Sequence, residues 1–285
     1  IAAACVLLTF ANAAVSTANP LSDAAPEPVR IPGAPKPGDV CFSSRWPRPL
    51  DKNDPHDTFA AAKAFRATRI DWSYPTNLEF VRRAKSLGYS YFGAISAELE
   101  GANASAGRDK SYRGNVVGNP ELDFLAARGD INSDTYRQIV MKHVLRILDG
   151  GADGIFVDDP GLTYHNALYN GGGYGDASRR LFRAFLARET TPDERARWGL
   201  PAEFDSFDYA EYVRRHEGRP PREVGELFFR FHRESVDEFY KSLRARVDEH
   251  AGRHVPFACN NWSVLKQDEF PFREHFDFWI GETSV

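Results

Sequence analysis

Short apolar runs rich in β-branched and aromatic residues alternate along the chain with longer segments of helical period, the pattern of repeated βα units and a parallel sheet. The first strand is predicted at DVCFSSRW (39–46), followed by a helix over HDTFAAAKAF (56–65) with Asp57 as its N-cap. ATRIDWSY (67–74) reads as the second strand. TNLEFVRRAKSLG (76–88) then carries Leu78, Val81 and Leu87 on an apolar face and Gly88 as a stop, which predicts an amphipathic helix. YSYFGAISAEL (89–99) is the third strand, and the polar stretch 100–129 has no period and reads as a long loop. DINSDTYRQIVMKHVLRILDGG (130–151) restores a helical face through Ile139, Val140, Val144, Ile147 and Leu148, and delivers the chain into DGIFVDD (153–159) as strand four.

Beyond it, YHNALYNGGGYGDAS (164–178) is expected to be a loop. Two helices follow, ASRRLFRAFLARE (177–189) and EVGELFFRFHRESVDEFYKSLRARVDEHAG (223–252), with a charged insert at 191–218 between them. HVPFACNN (254–261) and FDFWIGE (276–282) read as strands five and six. Six βα-type strands in this order predict a TIM-type (β/α)8 barrel, incomplete in this chain because about eight strands are needed to close it. The alternative is an open doubly wound sheet, but the glycine-rich phosphate turn expected after its first strand is missing. GGGYG at 171–175 follows no strand and opens no such turn.

A length of 285 residues with 42% hydrophobic content suits one large core. The start of the chain is set apart from it. AAACVLLTFANAA is apolar, too short to span a bilayer, and ends in the small-residue pattern Ala11-Asn12-Ala13, so residues 1–20 are expected to be a signal peptide clipped at its start. Residues 21–38, rich in Pro and Ala, read as a linker, and 39–285 as the barrel domain, truncated at its C-terminus. The chain is therefore expected in a secreted or periplasmic setting. A net charge of -4 and a pI near 6.1 supply no broad basic field, which argues against nucleic acid, and against a membrane beyond the export signal, as main partners. Cys41 and Cys259 fall on strands one and five, too far apart for a disulfide, and are expected as two buried free thiols. No cysteine and histidine spacing resembles a zinc site, and no cofactor is implied.

In a barrel the chemistry is built at the C-terminal ends of the strands, and this chain places polar residues at nearly every such end. Ser44 and Arg45 close strand one, Asp71 and Trp72 strand two, Glu98 strand three, Asp158 and Asp159 strand four, Asn260 and Asn261 strand five, and Glu282 strand six. Strand alternation separates the adjacent aspartates. Asp158 shares its face with Gly154 and Phe156, and the small glycine beneath it suits a crowded barrel interior, so Asp158 is the expected inward carboxylate. Asp159, followed by Pro160, is expected to cap or orient the loop or to assist catalysis. Asn260, Asn261 and Trp262, like Asp71 and Trp72, combine polar groups with an aromatic platform suited to sugar hydroxyls and ring faces. Tyr164 and His165 stand just beyond the aspartates and are expected to contact substrate or to orient Asp158.

The run ILDGGADGIFVDDP, preceded by DINSDTYRQIVMKHV, resembles the strand-four region of barrel-type glycoside hydrolases related to α-galactosidases, α-fucosidases and bacterial polysaccharide-processing hydrolases. In that group a strand written Asp-Gly-apolar-apolar-apolar-Asp ends in the catalytic aspartate, which falls on Asp158. The resemblance implies a secreted hydrolase of oligo- or polysaccharide. Two carboxyl groups must flank the scissile bond, about 5–5.5 Å apart for retention or about 6.5–9.5 Å for inversion. Asp158 is the expected nucleophile or base. The resembled group also places an acid/base near strand six, which implies Glu282 as its partner, with Glu98 as the second choice. Two other readings remain open: a metal-dependent barrel hydrolase using Asp158, Asp159 and His165, and a carbohydrate-binding barrel without catalysis.

Overall fold

Six short strands, all parallel, lie side by side in chain order: β1 (Cys41–Ser43), β2 (Arg69–Ser73), β3 (Ser90–Ile95), β4 (Gly154–Val157), β5 (Phe257–Asn261) and β6 (Phe278–Gly281). A doubly wound sheet reverses its strand order at the switch point, and this one does not. The order is that of a (β/α)8 barrel with six strands present among the described residues. The computed structural model describes residues 31, 33–43, 57–74, 78–95, 108–115, 128–261 and 270–281, and residues 31–285 form one compact unit.

The sheet has two apolar faces, as parallel strands require. Ile70, Tyr91, Ile95, Ile155, Val157, Phe257 and Cys259 pack against α2 (Leu78–Ser86), α3 (Asp134–Asp149) and the second half of α8 (Arg222–Ala251). On the opposite face Phe92, Ala94, Phe156, Ala258 and Phe278 form a separate cluster, with Trp72 and Ile280 at its edge. This second cluster is the barrel's inner wall. Gly154 has to be glycine there, since a Cβ would meet Phe92 Cε1 at 2.2 Å and the Pro256 carbonyl oxygen at 2.5 Å. Ala34, inside the stretch read as linker, packs on the same cluster, and Gly33 beside it (φ 77°) leaves no room for a Cβ against Pro256 and Phe92.

Strand β2 carries an irregularity that matters for the site. Ile70 is paired with Tyr91 and Ser73 with Gly93, so three steps on β2 match two on β3. This β-bulge is absorbed at Trp72, whose φ is 56°. Arg69 and Asp71 therefore lie on the inner face, and so do Trp72 and Tyr74.

Among the predicted helices, α1 (Thr58–Ala64) starts as expected, with the Asp57 carboxylate accepting from the backbone N–H groups of Phe59 and Ala60. Three helices occupy stretches expected to be irregular. Residues 164–169 of the expected loop belong to α4 (Leu162–Tyr169). It buries Thr163 and Asn166 as well as Leu162, so no continuous apolar stripe announces it. The charged insert holds α6 (Pro192–Trp198) and α7 (Tyr209–Arg215). The first begins in a capping box between Thr191 and Glu194 with Pro192 in its first turn, and stops at Gly199 in the left-handed conformation.

These helices, with α5 (Asp176–Glu189), build a lobe around Phe182, Phe185, Tyr209, Tyr212, Phe228 and Phe231. Helix α8 serves both cores: its first half gives Val224, Phe228 and Phe231 to the lobe, and its second half gives Val236, Phe239, Tyr240, Leu243 and Val247 to the sheet. Of Cys41 and Cys259, both expected to be buried, Cys259 is buried but Cys41 is exposed, because β1 lies at an edge of the sheet. No helix among the described residues is long and apolar enough to cross a membrane.

Candidate active site

The end of β4 sets the centre. Val157 is registered with Ile95 on β3 and Cys259 on β5, so the next residue, Asp158, emerges level with Asn260. Its backbone N–H continues the ladder to the Ile95 carbonyl at 2.8 Å. The Asp158 side chain is buried on the inner face, where Tyr74 Oη donates to its Oδ2 at 2.5 Å and Asn260 Nδ2 donates to its Oδ1 at 2.8 Å. Tyr74 follows the last residue of β2, two strands away, and shares the inner-face cluster with Ala94 of β3. Trp72 stacks on Phe156 with ring centroids 5.2 Å apart and turns its indole Nε1 to Tyr74 Oη at 3.4 Å. An aromatic surface thus borders the carboxylate, and Trp72 remains partly exposed.

Asp159 points elsewhere. Its φ is 51°, a conformation that aspartate tolerates better than most residues. Its backbone N–H donates to Asn260 Oδ1 at 3.0 Å, and its partly exposed carboxylate lies 3.8 Å from the Arg128 guanidinium. Arg128 in turn donates to Asn166 Oδ1 at 2.8 Å. The following carbonyl, of Pro160, accepts from Tyr240 Oη at 2.7 Å, which ties the turn to α8.

The other expected site residues divide. Asp71 lies on the inner face but is buried in a two-bond pair with Arg69, at 2.6 and 3.0 Å, and Arg69 itself sits over the rings of Phe92 and Phe278. Burial pushes the Asp71 carboxyl above its ordinary range while the Arg69 guanidinium opposes the shift. Asp71 therefore stands buried in the inner wall with Arg69 as its partner, not as the open polar group expected beside Trp72. Tyr164 packs its ring against Phe272 of the helix-side core at 5.8 Å, and His165 lies against Tyr169 at 4.9 Å. Asn261 is the last residue of β5, with its backbone alone described. Ser44, Arg45, Glu98, Trp262 and Glu282 lie outside the described residues.

Two features have no counterpart among the sequence expectations. Tyr74 is one; its reach to Asp158 depends on the bulge. The other is a buried acidic pair behind the mouth. Asp109, fully buried, accepts from the backbone N–H groups of Lys110 and Gly173 and from Asn166 Nδ2, and burial, with Asp130 nearby, pushes its carboxyl up to about 7. Asp130 accepts from the Ser178 hydroxyl and backbone and from the Asn132 N–H, and burial raises it as well. The pair anchors the loop after β3 to α4 and to the start of α5. Among the described residues the Asp, Glu and His side chains close enough to share a cation are Asp237, Glu274 and His275, on the helix layer. Asp237 there already holds the Lys241 ammonium and His275 Nε2.

No family model matches the chain, and no curated protein matches it. Among solved structures it is similar to Aspergillus fumigatus Ega3 in complex with galactosamine, at 9% identity over 87% of this chain and 68% of that one, with a TM-score of 0.42. It is also similar to an exo-beta-agarase, at 13% identity over 82% of this chain and 33% of that one, with a TM-score of 0.45. A third is the glycoside hydrolase domain of PelA from Pseudomonas aeruginosa, at 12% identity over 79% of this chain and 60% of that one, with a TM-score of 0.35.

Proposed function

We propose that the chain is an exported glycoside hydrolase that cleaves oligo- or polysaccharide through a carboxylate pair, with Asp158 as nucleophile or base. The observation that carries this reading is the Asp158 carboxylate at the C-terminal mouth of a parallel barrel sheet, gripped on both oxygens by Tyr74 and Asn260 beside the face of Trp72. A sugar needs such a combination: an aromatic face for its C–H surface and a fixed carboxylate at the anomeric carbon. The second carboxyl is proposed to be Glu282, which follows the last residue of β6 and has the parity of the inner-wall residues Phe278 and Ile280, with Glu98 after β3 as the alternative. Asn261, Trp262 and the partly exposed Trp72 are proposed to contact substrate. The apolar run ending in Ala11-Asn12-Ala13 supports export.

The test is turnover of a panel of polysaccharides and chromogenic glycosides by the wild type and Asp158→Asn. Loss of about 10⁴-fold or more in kcat, with the fold and oligosaccharide affinity retained, is expected for a group that acts as a unit with a second carboxyl. An unaffected rate sinks the assignment. Oligosaccharide binding without any released sugar makes the chain a carbohydrate-binding barrel, and turnover abolished by a chelator moves the chemistry to a metal ion.

A further inference from the structure

Tyr74 and Asn260, which donate to Asp158, are themselves oriented by groups that can only donate. The Trp72 indole N–H has no acceptor capacity, so at 3.4 Å the Tyr74 oxygen accepts from it and the phenol's own proton is directed to Asp158 Oδ2. On the other side the backbone N–H of Asp159 meets the carboxamide of Asn260 at 3.0 Å, which fixes the oxygen of that amide toward it and turns the NH2 end to Asp158 Oδ1. Each relay starts at a residue in the left-handed region, Trp72 at φ 56° and Asp159 at φ 51°. For tryptophan this conformation is a true outlier, and such outliers persist only where the surroundings impose them. Two hydrogen bonds therefore arrive at Asp158 from opposite sides, both with the polarity that a carboxylate accepts.

We propose that Tyr74 and Asn260 are positioning residues that keep Asp158 ionised, so that Asp158 serves as nucleophile or base and the leaving-group proton comes from a different carboxyl. The role in the reaction rests on the glycosidase reading; the ionisation does not. Other titratable and charged groups on the surrounding elements, among the described residues, leave this polarity in place. Arg69 and Asp71 on β2 are paired with each other, Asp159 is offset toward Arg128, β1 carries Cys41 and α4 carries His165. Strands β3 and β6 present Phe92, Ala94, Phe278 and Ile280 to the interior.

The experiment follows the side-chain carboxyl ¹³C signals of the full chain labelled at aspartate, with Asp158 assigned by the signal lost in Asp158→Asn. In the wild type Asp158 is expected to be ionised throughout the neutral range. Removing a donor to the charged form favours the protonated one, so Tyr74→Phe and Asn260→Ala should each move the Asp158 midpoint upward by about one pH unit, a tenfold change in proton affinity. On any glycoside that the wild type cleaves, the acidic limb of the pH profile should move by the same amount. Tyr74→Phe deletes a single oxygen and keeps the test available if Asn260→Ala does not fold. An Asp158 that is protonated at pH 7 in the wild type, or a midpoint unmoved in folded variants, overturns the proposal. A chain that cleaves no glycoside but shows the shifts removes the functional reading and leaves this one standing. Turnover without the shifts does the reverse.

Discussion

Replacing Asp71 by alanine separates a structural from a substrate-binding role for the polar end of β2. Asp71 and Arg69 are 3% and 2% exposed, and their side chains face the inner wall, with the guanidinium 5.3 Å from the Phe92 ring centroid and 5.8 Å from that of Phe278. Without the carboxylate, Arg69 keeps its charge among aromatic rings and loses both short hydrogen bonds. Breaking a buried pair in this way costs about 3–5 kcal/mol, whereas replacing both partners by apolar groups of similar volume is close to neutral. At about 2–4 °C per kcal/mol for a domain of this size, Asp71→Ala should lower Tm by about 6–20 °C. The double change Arg69→Met with Asp71→Leu should regain most of that loss. Thermal unfolding followed by circular dichroism measures both, and calorimetric titration with oligosaccharide well below the transition measures what the surviving fold binds. A Tm within about 2 °C of wild type, combined with lost binding, would refute the reasoning and return Asp71 to the substrate.

Two further outcomes are expected. The Asp109 carboxyl is raised by burial from 3.8 to about 7, so between these values the unfolded chain releases a proton that the folded chain keeps. Its contribution therefore becomes less favourable as pH rises from about 4 to about 7 and is constant above that. Relative to Asp109→Asn, which cannot titrate, the wild type should lose on the order of 4 kcal/mol across this window in urea unfolding, and a flat difference would show the acid to be ionised throughout. Gly154→Ala drives a methyl group into Phe92 and the Pro256 carbonyl, and should lower the urea midpoint by the equivalent of about 1–3 kcal/mol with an unchanged slope. An unaltered midpoint would mean that the inner wall has slack.

The βα alternation carried the strand order, because strands three to six centre on short apolar runs and each longer helix has a clear face. Asp57 was legible as a cap and Asp158 as an inward acid, since both depend on local spacing: the alternation over Gly154–Val157 runs on unbroken to Asp158, whose N–H continues the ladder. Tyr74 was not legible. Simple alternation puts it on the face opposite Asp71, and only the extra residue at the Trp72 bulge brings both to the interior. Helix α4 was hidden for another reason: its inward positions are polar and are satisfied by tertiary hydrogen bonds, as when Thr163 Oγ1 accepts from the Ile131 N–H. Helix α6 did announce itself, through the Thr191–Glu194 box and Gly199, but its seven residues bury nothing and so give no period to read. The acidic pair of Asp109 and Asp130 joins segments far apart in the chain, and no local pattern encodes that meeting.

The packing of Gly33 and Ala34 on the inner cluster has a consequence for biosynthesis. This segment precedes β1, yet it rests on Phe92 and Pro256, the second of which is made only near the far end of the sequence. A chain emerging from its N-terminus makes this segment long before the Pro256 it rests on. This contact is thus completed late in synthesis, and a nascent chain halted before Pro256 lacks it.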